Sequence, residues 1–118
     1  MTKNNETVFD VETHDGFRFS VEMAACDLED RTPGCFGILF FTTWALQPSD
    51  RTKVSAAIDK FNDDYRIGKA VVLADRVRAE RYVTTDGGVT QEHLREEAGT
   101  FLVMMAHLHD TLYDAVGR

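Results

Sequence analysis

The residues of this chain that could do chemistry are four histidines, two cysteines, three serines and a cluster of bases. His107 and His109 stand two apart in a segment of helical pattern, so they point in different directions and cannot hold one ion together. His93 and Glu97 have the i, i+4 spacing of a two-ligand helical site. No further strong ligand lies near them in sequence, and a weak electrostatic contact on a helix surface is the expected role. The zinc-protease pattern of two histidines flanking a glutamate is absent. Nucleophilic catalysis needs a serine or cysteine activated by an oriented base. Ser49 and Ser55 fall at a helix start and inside a helix, without a glycine-flanked elbow. Glu96 and Glu97 are adjacent, hence on different helical directions, and form no acid–base pair.

Cys26 and Cys35 bracket a polar stretch, 27–34. A strand-turn-strand reading sets them opposite each other, within reach of a disulfide. As free thiols they would be small hydrophobes at strand ends, the form a reducing compartment favours. They fall short of the four ligands of a structural zinc site. Gly87-Gly88 ahead of a helix could cradle an anion, but the lysine of a phosphate loop is missing and Asp86 and Glu92 would repel the ligand. No catalytic residue, metal or cofactor is expected.

Charge narrows the partners. Twenty acids against 13 bases give −7 at pH 7, which argues against non-specific binding to nucleic acid or anionic lipid. Arg66, Lys69, Arg76, Arg78 and Arg81 oppose the average with only Asp75 and Glu80 among them. Single-stranded nucleic acid would want aromatics interleaved there, and only Tyr82 qualifies; solvated hairpin residues are expected. The apolar run Phe101 to Ala106 is far below the ~20 residues a bilayer needs. Met1 to Glu6 has no apolar core of a secretory signal, so these six residues are expected to be disordered and the chain cytoplasmic. The 118 residues suit a single domain, 1–118, and 43% hydrophobic content excludes a disordered chain.

The elements that must position these residues follow from periodicity. Phe9 and Val11 share a face, His14-Asp15-Gly16 signals a hairpin, and Phe17, Phe19, Val21 and Met23 then alternate with Arg18, Ser20 and Glu22. Cys35 to Trp44 is apolar at both parities, with Ile38 and Phe40 on one side and Leu39 and Phe41 on the other. Pro48-Ser49-Asp50 starts a helix in which Val54, Ile58, Phe61 and Tyr65 recur, and Gly68 stops it. Asp59, Lys60, Asp63 and Asp64 are its solvated face. Strands over Lys69 to Leu73 and Val77 to Thr85 follow, joined by Ala74-Asp75-Arg76. Thr90 caps a last helix with a stripe of Leu94, Ala98, Phe101, Leu102, Met105, Leu108 and Leu112; Val103, Met104 and Tyr113 lie outside it. The expected fold is α+β: a five-stranded antiparallel sheet, order βββαββα, with helices near 49–67 and 90–116 on one face. Phe17, Phe19, Phe61, Phe101, Leu102 and Met105 should be largely inside.

Two stretches then carry a resemblance. Ile58-Asp59-Lys60-Phe61-Asn62-Asp63-Asp64-Tyr65-Arg66-Ile67-Gly68-Lys69-Ala70, and Tyr82-Val83-Thr84-Thr85-Asp86-Gly87-Gly88-Val89-Thr90-Gln91-Glu92-His93-Leu94, resemble the YbjN family of bacterial sensory transduction regulators. Asn62, Arg66, Ala70, Gly87, Gly88, Val89 and Thr90 stand at the matching positions, which are structural. The resemblance is good over residues 54 to 108 and rests on element order before that. It implies a fold like type III secretion chaperones, often dimeric, opening on a helix that has no counterpart here. Ala74-Asp75-Arg76 also lacks the glycine usual in that turn. The implied function is a non-enzymatic regulatory or chaperone-like module that binds protein. Alternatives are a secretion chaperone for an effector segment, or a small-ligand-binding domain or enzyme using the open sheet face. Because two helices cover only one face, a homodimer or tight protein partner is expected. It would dock through the third strand (Ile38, Phe40) or the Val103-Met104-Tyr113 side of the last helix.

Overall fold

The computed structural model describes residues 2–3, 8–26, 35–66, 68–85 and 88–117. Its elements are β1 (Thr2–Lys3), β2 (Val8–Glu12), β3 (Arg18–Cys26), β4 (Cys35–Ala45), α1 (Arg51–Asp64), β5 (Lys69–Val72), β6 (Arg76–Thr84) and α2 (Gln91–Val116). The strands form one antiparallel sheet in the order β1-β2-β3-β4-β6-β5. The five expected strands and both helices are present in the expected order. One correction falls at the start. Thr2–Lys3, read from sequence as disordered, pair with Phe9 and Asp10 as a two-residue edge strand, because β2 offers an unpaired row of backbone groups there.

The β2–β3 turn is longer than the two-residue hairpin that Asp-Gly suggests. Thr13 closes it, accepting from the Gly16 amide at 3.0 Å while its own amide donates to Phe17 O at 2.8 Å. Gly16 takes φ +90°, open to glycine without strain. The β5–β6 connection also closes on backbone, Leu73 N–H donating to Arg76 O at 2.8 Å, with no glycine in it.

Both helices pack on the face that carries Phe19, Ile38, Phe40, Val77, Ala79 and Val83, all buried. Phe101 of α2 has no exposed surface and sits with its ring centroid 5.5 Å from Phe19 and 5.7 Å from Phe40. α1 contributes Val54, Ile58 and Phe61 to the same core. This overturns part of the expected docking surface. Ile38 (8% exposed), Phe40 (4%) and Met104 (1%) are core residues. The parity of β4 that faces water is Leu39 and Phe41, paired with Tyr82 and Glu80. Met104 lies inside because α2 is buried from two sides, by the sheet and by α1. Gly68 makes room for it: a Cβ there would come 2.5 Å from Met104 Cε and 2.7 Å from Glu80 O. Gly68 thus acts by packing, four residues beyond the end of α1. Phe17 and Leu102 are only half-buried, another departure from the expected core.

The helix ends are fixed locally. α1 is entered through a 3-10 turn, Pro48–Asp50, rather than on a side-chain cap. Thr90 caps α2, its hydroxyl oxygen accepting from the His93 amide at 3.0 Å. Asn62 ties α1 to the edge strand: its Nδ2 donates to Ala70 O at 2.9 Å, and its Oδ1 accepts from Ala70 N at 2.8 Å.

The other sheet face carries ion pairs over a small apolar strip. The Arg78 guanidinium lies 4.1 Å above the Phe41 ring. Glu80 takes Arg78 Nε and Lys69 Nζ, each at 3.1 Å. The Tyr82 ring lies over Gly37, where a Cβ would collide with it. Burial pushes the Glu80 carboxyl up, but the hydrogen bonds and charges of Lys69 and Arg78 outweigh this and hold it below its ordinary value.

Three outcomes follow from this packing. Phe101→Ala should cost ~3–5 kcal/mol in denaturant melts; a loss under about 1 kcal/mol would contradict the aromatic seat. Asn62→Ala should cost ~1–3 kcal/mol, since it leaves the Ala70 amide and carbonyl without a protein partner. Because the folded carboxyl of Glu80 is depressed, its contribution is present above the unfolded value of about 4.3 and disappears as pH falls through the lower folded value. Glu80→Gln should therefore be destabilised by about 1 kcal/mol at neutral pH, with the gap from wild type closing in acid melts below that range. A gap that persists in acid would contradict the ion-pair account.

Candidate functional site

α2 is the longest element, 26 residues or about 39 Å. Its second half contributes Met104, Met105 and Leu108 to the core and lines recesses with the β2–β3 turn and the end of β4. The turn and the helix do not close on each other. Between them lies a groove of about 740 Å³ lined by Thr13, His14, Asp15, Gly16 and Phe17 on one side and Leu102, Met105, Ala106, His109 and Asp110 on the other. The floor is apolar, from Phe17, Leu102, Met105 and Ala106, and the rims are polar. His109 also borders a smaller recess of about 180 Å³ with Trp44, Leu46, Val54, Leu112 and Tyr113. Phe17 and Trp44, 6.5 Å apart by ring centroids, connect the two.

The rims are set by local chemistry. The Thr13 hydroxyl donates to Asp15 Oδ1 and accepts from the Phe17 amide at 3.1 Å. The Thr13 hydroxyl and the Phe17 backbone hold the Asp15 carboxyl below the usual carboxylate range. One rim of the groove is therefore anionic at neutral pH. On the other, the His109 ring stacks on Tyr113 at 6.4 Å and its Nδ1 lies 3.5 Å from Asp110 Oδ1.

Of the residues singled out by sequence, Tyr113 borders the recess and is 57% exposed, while Val103, 62% exposed, lies beside Leu102 on the outer side of α2. They remain on the surface; Ile38, Phe40 and Met104 do not. His93 Nε2 does lie 3.6 Å from Glu97 Oε1, but Glu97 is held mainly by Arg81, at 2.9 Å from Nε and 2.5 Å from Nη2. That pair is mostly buried, 16% and 17% exposed, and ties β6 to α2. Arg78 and Arg81 are thus structural rather than simply solvated. His107 stacks on Tyr65, 5.2 Å away. Among the described residues no three His, Cys, Asp or Glu side chains gather as a metal site, and no helix is long and apolar enough to cross a membrane.

Of the matching family positions, Asn62 and Ala70 bond to each other, Thr90 caps α2, Val89 is 37% exposed and Arg66 is exposed. Gly88 has φ +90°, and Gly87 lies outside the described residues. Cys26 and Cys35 are register partners at the ends of β3 and β4; their side chains lie outside the described residues. The sequence reading missed the groove because it joins a turn and a helix some 90 residues apart. Its one local trace is Ala106, a small residue in the apolar surroundings of Leu102 and Met105.

A family model described as "YbjN: Putative bacterial sensory transduction regulator" matches residues 9–117. Among solved structures the chain is similar to one described as "Crystal structure of YbjN, a putative transcription regulator from E. coli". The two share 15% identity at a TM-score of 0.65, over 99% of this chain and 82% of that one. At that identity the likeness speaks for the fold alone. No curated protein matches the sequence. The match runs from β2 to Gly117, just past the end of α2, and takes in both stretches that carry the resemblance: this chain belongs to the YbjN family.

Proposed function

We propose that the chain is a non-enzymatic, cytoplasmic regulatory module that acts by holding a segment of another protein in the groove beside α2. The single observation that carries this reading is an apolar floor of Phe17, Leu102, Met105 and Ala106 in a groove of about 740 Å³, open to solvent and rimmed by polar groups. Apolar grooves with polar rims are what amphipathic helical segments dock into, through anchors at i, i+3, i+4 and i+7. Asp15 and Asp110 on the rims favour a segment with basic flanks. A secretion-chaperone role for an effector segment is a narrower form of the same reading. The groove volume also falls in the range of small-molecule sites, ~300–1,000 Å³, which supports a ligand-binding domain as the second reading.

The chain reports on its own groove, since its single tryptophan, Trp44, lines the connected recess. Titration with amphipathic helical peptides carrying Leu or Met anchors and Lys flanks should shift Trp44 emission saturably. Leu102→Asp should weaken that response tenfold or more while leaving the far-UV spectrum unchanged. Equal responses from wild type and Leu102→Asp would overturn the groove as the site. Saturation by small apolar dyes with no response to any peptide would favour the second reading.

A further inference from the structure

The groove leaves the helix-free face of the sheet without a role. The register lays out one row across it from β2 to β5: Asp10, Ser20, Phe41, Glu80, Lys69. The neighbouring row carries Glu22, Leu39 and Tyr82. Charge on this face is segregated among the described residues. The β2–β3 half presents Asp10, Glu12 and Glu22 against one base, Arg18; the β5–β6 half presents Lys69, Arg76 and Arg78 against Glu80 and, at its turn, Asp75, which lies 3.4 Å from Arg76. Between the halves lies a strip of half-buried Leu39 and Phe41 with Tyr82, which is 53% exposed.

A face that is acidic on one side, basic on the other and apolar along the middle complements itself about one axis only. We propose that this face is a self-association surface, on which a second copy docks about a two-fold axis parallel to β4. That axis exchanges the two halves. Phe41 meets Phe41 of the second copy, Leu39 meets Leu39, and Asp10 comes opposite Lys69 in two equivalent contacts. Arg18 falls nearest Arg78 of the second copy, and its own pairing with Glu12 at 3.4 Å offsets that contact. A two-fold axis running across the strands would instead set acid on acid and base on base, which costs affinity. Sheets stack face to face about 10 Å apart and within about 30° of alignment, so the pairing needs no rearrangement. Nucleic acid fits less well, since half of the face carries three carboxylates. Five strands of this length give a footprint of roughly 600 Å² per copy, at the low end for a specific interface. The dimer is therefore of micromolar strength and weakened by salt.

Charge reversal in a mixing experiment tests the axis itself. Asp10→Lys alone sets an ammonium against Lys69 in both contacts, and Lys69→Glu alone sets a carboxylate against Asp10 in both. Mixed one to one, the two variants restore opposite charges at each contact. By sedimentation velocity at tens of micromolar, the wild-type chain should be a dimer. Each variant alone should dissociate at least tenfold more readily, and the mixture should recover a heterodimer; circular dichroism establishes that each variant is folded. The groove variant Leu102→Asp should stay dimeric, which separates this surface from the groove. A monomeric wild type, single variants that remain dimeric, or folded variants whose mixture stays monomeric would each overturn the proposal.

Discussion

Phe101 is fully enclosed between Phe19 and Phe40, and this contact decides where α2 can lie. An aromatic ring of that size seated in a close-packed interior allows little sliding. With the ring placed, the first half of α2 is committed to the sheet and to α1, and Met104, Met105 and Leu108 follow into the core. The second half stays beside β4 and β6, with Leu112 and Val116 lining a recess with Trp44 and Val77, and leaves the β2–β3 turn uncovered. The groove is thus the gap between the β2–β3 turn and the Leu102, Met105 and His109 side of the helix.

The two faces of the sheet are stabilised by different physics. The covered face relies on the removal of apolar surface from water, with one mostly buried ion pair, Arg81 with Glu97, securing strand to helix. The open face keeps its few apolar groups partly shielded by polar ones, most clearly where Arg78 lies over Phe41. Such shielding is reversible. An arginine stem can lie along apolar surface and move aside when another surface arrives, whereas the buried side has no such freedom.

Much of this was legible in the chain. Alternation in β3, the period change at Pro48 and the stripe on α2 are one-dimensional signals with local causes, and they led to the correct element order. The parity of β4 was not legible: with Ile38, Leu39, Phe40 and Phe41 in succession, apolarity is the same on both sides, and only pairing with β3 and β6 chooses the inner one. Met104 was hidden for a related reason. Its burial depends on a second helix and on the empty space at Gly68, neither of which a helical stripe encodes. The family pattern, in contrast, pointed to Asn62 and Ala70 without saying why, and the reason is a pair of hydrogen bonds eight positions apart.

That pair has a consequence for the outer border of the sheet. In an antiparallel ladder the amide and carbonyl of one residue point to the same side. Both groups of Ala70 are bound by Asn62, so they point away from β6, toward what would be the next strand. The carboxamide, with its donor and acceptor side by side, imitates one peptide unit of such a strand. It occupies the middle of a four-residue border strand, where an unfolded neighbour seeking backbone partners would otherwise attach. One side chain from a helix thereby ends the sheet at β5 and protects the molecule from fibrous, strand-by-strand growth at that side.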